Sequence, residues 1–275
     1  MTRIAICAPA TPITRDVADA VTALATADFP ELTLAFHEQC FAEEGHFAGS
    51  DALRLEAFVE CANDPGSDAV WFARGGYGSN RIAEAALNRL GSTASDKVYL
   101  GFSDCGFLLA GLYKARVGRP AHGPMPVNVR GEGGEAAVRR ALAWLAGRDE
   151  GLEPMIDDRP TVAFNLMTLA SLTGTPLMPH LTDHVVIVEE VAEHLYAIDR
   201  LFFHVVHHLK GVAGLRLGMV TAVPANDRPF GSEAEDIARY WCDASGIPFL
   251  GRAKVGHHAD NHIVPFGLAA AHRRA

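Results

Sequence analysis

The sequence predicts an α/β protein with a doubly wound, flavodoxin-like parallel sheet in its N-terminal domain and an α+β or β-barrel-like C-terminal domain. In the first half, short apolar runs alternate with longer segments of helical spacing, which is typical of a parallel sheet covered on both faces. A polar, proline-containing stretch, GRDEGLEPMIDDRP, then leads into a second half of more mixed patterning. At 275 residues the chain is long enough for two modest domains. We therefore expect an N-terminal domain over residues 1–147, a linker over 148–160 and a C-terminal domain over 161–275.

The N-terminal half contains short apolar runs that read as buried strands. They are Ile4–Cys7, Leu32–Phe36, Ala69–Ala73 and Val98–Phe102. A helix is expected after each of them, beginning near Thr14 or Asp16, at Ser50, at Arg81, and last in the segment that runs to about Arg116. Active sites in such folds lie at the carboxyl ends of the strands, so the loops after the third and fourth strands are the candidate positions for chemistry.

The C-terminal half is expected to hold a mixed or barrel-like sheet. Its predicted strands are Val185–Val191, Leu215–Val223, Phe249–Leu250 and His262–Val264, and its predicted helices are Leu195–Leu209 and Ser232–Ser245. The first of these strands ends in two adjacent carboxylates, Glu189 and Glu190. Because side chains alternate along a strand, these two carboxylates point to opposite faces, and the sequence leaves open which of them faces a catalytic partner.

Composition and charge narrow the range of functions. The formal net charge is −9 and no basic block offsets it, which argues against a nucleic-acid partner. No run of about 18 apolar residues is present, so a membrane span is not expected. The cysteines are odd in number (five), widely spaced and without a CxxC pair, which favours a reduced, cytoplasmic setting.

The loop after the fourth strand contains a candidate nucleophile, Ser103. A strand that ends at Gly101 and feeds a helix presents this side chain at the edge of the sheet, next to helical amides that have no intrahelical acceptor. This is the geometry of a nucleophile elbow, although the usual G-x-S-x-G pattern is absent. The amide of Asp104 is then a candidate oxyanion donor. The alternative is that Ser103 or Asp104 simply caps the helix.

A glycine-rich loop, RGGYG, follows the third strand at Arg74–Gly78. Its three glycines allow positive φ angles and a close approach of the backbone to a ligand. Such a loop can direct bare N–H groups at an anion or at a developing oxyanion. It does not match a phosphate-binding loop, because no GKS or GKT follows and GxGxxG is absent.

The chain is rich in histidine, with 13 residues, and two clusters raise the question of a metal. His204, His207 and His208 have the spacing to share one helix face, and His257 and His258 follow Gly256, with His262 nearby. Neither cluster has a known ligand spacing, so we favour a solvated or dimer-facing surface for the first one. His257 follows a glycine near the end of a strand, where an imidazole is well placed for acid–base chemistry.

These features together resemble one family. The matching segments are APATPI, FAGSDALRLEAF, WFARGGYGSNRI, GFSD, HGPM, NLMTLASLTGTPLMP, VVIVEEVAEHLYAIDR and GHHADNHIVPFG, which span nearly the whole chain. The sequence resembles the LD-carboxypeptidases, serine peptidases that include muropeptide carboxypeptidases and microcin C immunity peptidases. RGGYG followed by GxSD, with the glutamate and histidine blocks in order, is the specific part of this resemblance.

The resemblance implies a catalytic triad and a reaction. It assigns Ser103 as nucleophile, His257 as base and Glu189 as the residue that orients His257, with an oxyanion hole from the amide of Asp104 and that of Gly75 or Gly76. The implied activity is hydrolysis of the amide between an L-centre, lysine or diaminopimelate, and a terminal D-alanine in muropeptides, during peptidoglycan recycling. No cofactor and no metal are implied.

The resemblance also bears on the assembly of the protein and on the shape of its pocket. The resemblance implies a homodimer, for which the helix with Leu201, Phe202, Val205 and Val206 offers either an apolar surface or a core face. Two departures from the family pattern bear on the pocket: Gly106 stands where threonine is usual, and Ala163-Phe164 where two glycines are usual.

Other functions are compatible with this sequence. The nearest is a microcin-immunity-type peptidase that cleaves a peptidyl- or aminoacyl-nucleotide amide. A binding protein with a vestigial triad would be indifferent to Ser103→Ala. A zinc hydrolase that uses His257, His258 and Glu189 would be sensitive to chelators.

Overall fold

The computed structural model describes residues 1–272 and contains two sheets. The first has six strands in the order β10-β5-β4-β3-β1-β2. Its strands are β1 (Thr2–Cys7), β2 (Leu32–Phe36), β3 (Ala69–Phe72), β4 (Val98–Gly101), β5 (Arg119–His122) and β10 (Val264–Pro265). The helices of this half are α1 (Arg15–Asp28), α2 (Asp51–Asn63), α3 (Asn80–Leu87), α4 (Gly106–Ala115) and α5 (Gly134–Leu145).

The first sheet confirms the doubly wound, flavodoxin-like prediction. Strands β1 to β5 are parallel, and the chain places β2 on one side of β1 and β3 on the other. The order of strands therefore reverses beside β1, and a crevice opens there at the carboxyl edge. The loops after β1 and β3 meet in this crevice, where the Thr11 hydroxyl donates to the carbonyl of Gly75 at 2.6 Å.

The sequence did not predict β5, and the reason is its composition. The strand reads RPAH, and Pro120 lacks the N–H that an interior strand normally donates. One edge of β5 pairs with β4. The other edge pairs antiparallel with the short strand β10, with Val264 opposite His122. The last part of the chain thus returns to the first sheet.

The second sheet has four strands in the order β6-β7-β8-β9, all parallel. They are β6 (Thr161–Asn165), β7 (Val185–Val191), β8 (Gly214–Thr221) and β9 (Phe249–Arg252), joined through α6 (Leu166–Leu172), α7 (Leu195–Val206) and α8 (Ala234–Ser245). This confirms the α/β class and corrects the mixed or barrel-like sheet that we expected here. A helix between each pair of consecutive strands is the connection that parallel strands require, and the sheet stays open.

The two halves share a hydrophobic core at the contact between α4 and α6. Leu108 on α4 and Leu169 on α6 are fully buried in one cluster with Phe164 at the end of β6. Full burial of such a side chain stabilises the fold by roughly 1.5–3 kcal/mol. This core holds the carboxyl ends of both sheets close together.

The segment predicted as a linker is firmly attached to the second sheet. Glu153 is 3% exposed and forms a two-pronged ion pair with Arg216 on β8, with N–O distances of 2.7 and 2.9 Å. The limits of the two domains remain a prediction. Within residues 1–272, no helix has the length and apolar character needed to cross a membrane.

Candidate active site

Ser103 lies directly beyond β4, in a strained backbone conformation. Its φ of +59° is in the left-handed region, which non-glycine residues seldom adopt outside functional turns. This turn lifts the side chain out of the edge of the sheet, as in a nucleophile elbow. Neither Ser103 nor Asp104 caps α4 through its side chain, so the alternative interpretation as a helix cap does not hold.

His257 reaches Ser103 from the second half of the chain. Its Nε2 is 3.1 Å from the Ser103 Oγ, and its Nδ1 is 2.8 Å from Oε2 of Glu189. The preceding residue, Gly256, has a φ of +141°, and a Cβ there would lie 3.2 Å from that of Glu189. Only glycine therefore lets the turn pass this close to the carboxylate.

Glu189, rather than Glu190, is the carboxylate that faces the histidine. It is 1% exposed and faces a register shift between β7 and β8, at which β8 holds the extra residue. Its Oε1 has no hydrogen-bond partner within the described residues, so His257 is the group that can balance its charge.

Asp104 ties the serine turn to the glycine-rich loop. Its carboxylate accepts from the amide of Gly78 at 3.2 Å and from that of Ser79 at 2.8 Å, and the Ser79 hydroxyl donates to its carbonyl at 2.5 Å. Burial raises the pKa of this carboxyl, and the two amides oppose the rise. Its side chain is therefore engaged within the fold and holds the two loops together.

The glycines of the loop lie against the candidate nucleophile. A Cβ on Gly75 would be 3.2 Å from the Cβ of Ser103 and 3.4 Å from the amide nitrogen of Asp104. The Thr11 hydroxyl donates to the carbonyl of Gly75. Because the peptide bond between Gly75 and Gly76 is trans, the N–H of Gly76 points in the direction opposite to that carbonyl. Gly76 and Asp104 both line the cleft beside Ser103.

A cleft of about 390 Å³ opens beside Ser103 and is lined by residues of both halves of the chain. Its lining includes Asn165 and Glu193, which the sequence did not single out as site residues, and Glu190, which the sequence offered only as the alternative to Glu189. Asn165 caps α6 by accepting from the Thr168 amide, and its Nδ2 donates to Glu190 at 2.7 Å. Burial raises the pKa of Glu190. The N-cap position of Asn165 was visible in the sequence, but its partner was not.

The histidine clusters do not assemble a metal-binding group. His204 bonds to Thr173 at 2.6 Å, and the ring of His208 bonds to the carbonyl of His204 at 2.9 Å. His262 bonds to Asp260 at 3.0 Å and to the carbonyl of Leu152 at 3.1 Å. Across residues 1–272, no three His, Cys, Asp or Glu side chains are gathered so that they could hold a metal ion.

Two family models match the chain. The model of the LD-carboxypeptidase N-terminal domain matches residues 4–123, and that of the LD-carboxypeptidase C-terminal domain matches residues 160–271. The chain belongs to the LD-carboxypeptidase family. This confirms the resemblance found in the sequence and the enzyme class, a serine-type carboxypeptidase.

Individual relatives agree with this assignment. The chain is 28% identical to a murein tetrapeptide carboxypeptidase of Pseudomonas aeruginosa, over 98% of this chain and 92% of that protein. Its fold is similar to that of a muramoyltetrapeptide carboxypeptidase from Oxalobacter formigenes, with a TM-score of 0.81, 23% identity and coverage of 97% and 93%. It is also similar in fold to a microcin C7 self-immunity protein in complex with glutamyl sulfamoyl guanosine, with a TM-score of 0.75, 18% identity and coverage of 97% and 91%.

Proposed function

We propose that this LD-carboxypeptidase hydrolyses the amide between an L-centre, lysine or diaminopimelate, and a terminal D-alanine in murein tetrapeptides. The observation that carries the proposal is the chain of hydrogen bonds Ser103–His257–Glu189, with Ser103 in the lining of an open cleft. The murein tetrapeptide carboxypeptidase relative supports this substrate class. A role in peptidoglycan recycling is part of the same proposal.

In the first step the Ser103 hydroxyl attacks the carbonyl of the L-centre while His257 Nε2 takes its proton. Glu189 keeps the Nδ1–H tautomer of His257 and stabilises the imidazolium that forms. The amides of Asp104 and of Gly76 or Gly75 donate to the oxyanion of the tetrahedral intermediate. His257 then protonates the amine of D-alanine, the amide C–N bond breaks, and an acyl-enzyme remains on Ser103.

In the second step a water molecule replaces D-alanine. His257 takes a proton from this water, the resulting tetrahedral intermediate uses the same oxyanion donors, and Ser103 leaves with the proton from His257. The products are free D-alanine and the shortened peptide. Every proton transfer in this cycle involves a group within the triad, so the reaction needs no cofactor.

Release of D-alanine from an L-Lys-D-Ala tetrapeptide and from a diaminopimelyl-D-Ala tetrapeptide tests the proposal. We expect release by the unaltered protein, insensitivity to EDTA, and a loss of at least about 10³-fold in Ser103→Ala, because only oxyanion and binding contributions then remain. Activity that survives Ser103→Ala would overturn the triad. Cleavage of an aminoacyl-nucleotide amide in place of both tetrapeptides would favour the microcin-type function.

The proposal also includes a cytoplasmic homodimer. A reduced setting is supported by five free cysteines, all buried. In α7, Phe202, Val205 and Val206 are buried within the chain, so they form a core face rather than a dimer surface. Exposed aromatic side chains lie nearby, Phe203 at 51% and Tyr240 at 63% exposure. Sedimentation of the purified protein tests this assembly, and a monomer at micromolar concentration would overturn it.

A further inference from the structure

A second histidine, His122, is buried behind the triad and takes no part in the proposed mechanism. It ends β5, where it pairs with Gly101 of β4, two residues before Ser103. Its side chain is 1% exposed, and burial lowers its pKa to about 3, so it is neutral at physiological pH. A neutral imidazole carries one N–H and acts as a single donor at one ring nitrogen.

The side-chain partner of His122 is Asn261, which is 2% exposed, and the backbone of Ala163 is a second hydrogen-bond partner. The Asn261 Oδ1 lies 3.2 Å from Nε2 of His122 and also accepts from the backbone amide of Gly256 at 3.0 Å. The Gly256 amide is a donor only, which fixes the orientation of the Asn261 side chain. The Nδ2 of Asn261 has no partner among residues 1–272. A buried amide that leaves its own donor unpaired is costly, so its position needs a compensating role.

This arrangement links the nucleophile to the base by a second route. Ser103 follows β4, and His122 ends the neighbouring strand β5. Asn261 contacts His122 and also accepts from the amide of Gly256, the residue before His257, so the position of His122 constrains that of His257. The ring of Phe102 strengthens the link, because its centroid is 5.3 Å from that of His122 and 4.7 Å from that of His257. Both sides of the Ser103–His257 contact are thus anchored on adjacent strands of the first sheet.

We propose that His122 and Asn261 are positioning residues that set the distance between Ser103 and His257 across the two halves of the chain. This inference rests on the triad of the proposed function. It predicts that the two side chains act as one unit on the rate of attack by Ser103 and leave substrate binding unchanged.

The test compares His122→Leu, Asn261→Leu and the double variant with the unaltered protein. A displacement of the base by about 1 Å costs up to about 10²-fold in rate, so each single variant should lose roughly 10- to 100-fold in kcat with little change in KM. The double variant should be no slower than the single ones, because both break the same link. His122→Gln keeps an N–H donor near the position of Nε2 and should recover most of the rate. If His122→Leu does not fold, Asn261→Leu and His122→Gln still test the inference.

Labelling of Ser103 by a fluorophosphonate provides a readout without any peptide. Its rate depends on the Ser103–His257 pair, so it separates this inference from the identity of the substrate, and Ser103→Ala serves as the blank. The matched control is His184→Leu, a histidine that bonds to Tyr113 at 2.7 Å instead of to the triad region. This control should lower the melting temperature without slowing the labelling.

Three results would overturn the inference. One is labelling by Asn261→Leu, or by folded His122→Leu, at the unaltered rate, and another is a double variant whose loss is the product of the two single losses. The third is absence of labelling in the unaltered protein, which would overturn the triad and this inference with it. A failure of the tetrapeptide assay alone, with the labelling pattern intact, would count only against the proposed substrate.

Discussion

At the scale of single residues, two adjacent glutamates show how position decides chemistry. Glu189 and Glu190 are both at most 2% exposed. Glu190 accepts from Asn165 and from the amides of Met167 and Val191, which satisfies its carboxylate within the fold. Glu189 keeps one oxygen without a partner and gives the other to His257. A buried carboxylate with one unpaired oxygen is stabilised by a positive charge on His257. That imidazolium forms in the transition state of the proposed reaction.

Glu189→Gln should therefore lower kcat by roughly 10²–10⁴-fold, because an amide neither holds the Nδ1–H tautomer nor stabilises the imidazolium. The measurement is D-alanine release at saturating tetrapeptide. Glu60→Gln is the matched control, since His37 and Glu60 form a similar contact of 3.0 Å on the exposed surface. Equal rates in Glu189→Gln and in this control would contradict the role of Glu189.

The neutral state of His122 has a consequence for stability against pH. In the folded chain its pKa is about 3, compared with 6.5 for an ordinary histidine. The unfolded chain therefore binds more protons between these values, and the free energy of unfolding falls as the pH falls through this window. From pH 7 to 5 this group alone should remove about 2 kcal/mol.

Urea unfolding of the unaltered protein and of His122→Gln at several pH values measures this loss. The variant lacks the titrating group, so its stability should depend less steeply on pH over the same interval, while all other groups titrate in both proteins. Parallel curves for the two proteins would show that His122 is protonated or exposed in the fold.

At the scale of elements, the contact of α4 with the second half brings together Gly106 and Phe164, two positions at which the sequence departs from the pattern implied by the resemblance. A Cβ on Gly106, the first residue of α4, would lie 3.0 Å from Cγ2 of Thr168 and 3.3 Å from the ring of Phe164. Phe164 is one of the residues that stand in place of the usual glycines. The side chain at 164 thus occupies part of the space that a side chain at 106 would need, and we expect the two positions to be coupled.

Gly106→Thr should destabilise the chain by about 1–3 kcal/mol through overpacking, and Phe164→Ala by about 3–5 kcal/mol through a cavity. The double variant should lose clearly less than the sum, because each change relieves the other. Denaturant unfolding of the four proteins completes the cycle. Gly111→Ala on the same helix faces Leu87 and Leu177, so its effect should simply add to that of Phe164→Ala. Additivity for Gly106→Thr as well would refute the coupling.

At the scale of the whole molecule, the segment 148–160 is an anchor rather than a flexible connection. The carboxylate of Glu153 accepts hydrogen bonds from two guanidinium nitrogens of Arg216 and from the amide of Lys254. The backbone amide of Glu153 donates to the carbonyl of Ile263. The segment is thereby fastened to β8 and to the stretch that leads into β10. It helps to keep the second sheet, which carries Glu189, in a fixed position relative to the first.

Glu153→Ala should cost roughly 3–5 kcal/mol, because it leaves the charge of Arg216 buried without its partner. The exposed pair Arg148–Glu31, at 2.5 Å, is the matched control, and Glu31→Ala should cost less than about 1 kcal/mol. Urea unfolding midpoints measure both. Similar losses in the two variants would mean that the buried pair contributes no more than a surface one.

Local pattern alone determined much of this protein. The alternation of apolar runs with helical segments predicted β1 to β4 and the flavodoxin-like sheet, and the motifs around Ser103 and His257 identified the family. These features depend on residues close to each other in the chain, where propensity and spacing act directly. The strand β5 was missed because Pro120 obscures its pattern, and the second sheet was taken as mixed because β6 was not recognised.

Only the tertiary structure decided which distant side chains meet. Ser103 and His257 are 154 residues apart, and their contact depends on the packing of α4 against α6. Glu189 rather than Glu190 is the partner of His257 because it lies on the side of β7 that this histidine packs against, and the burial of His122 depends on β10 and Asn261 returning to the first sheet. Such contacts arise from long-range packing and from the satisfaction of buried polar groups, which no local stretch of sequence specifies.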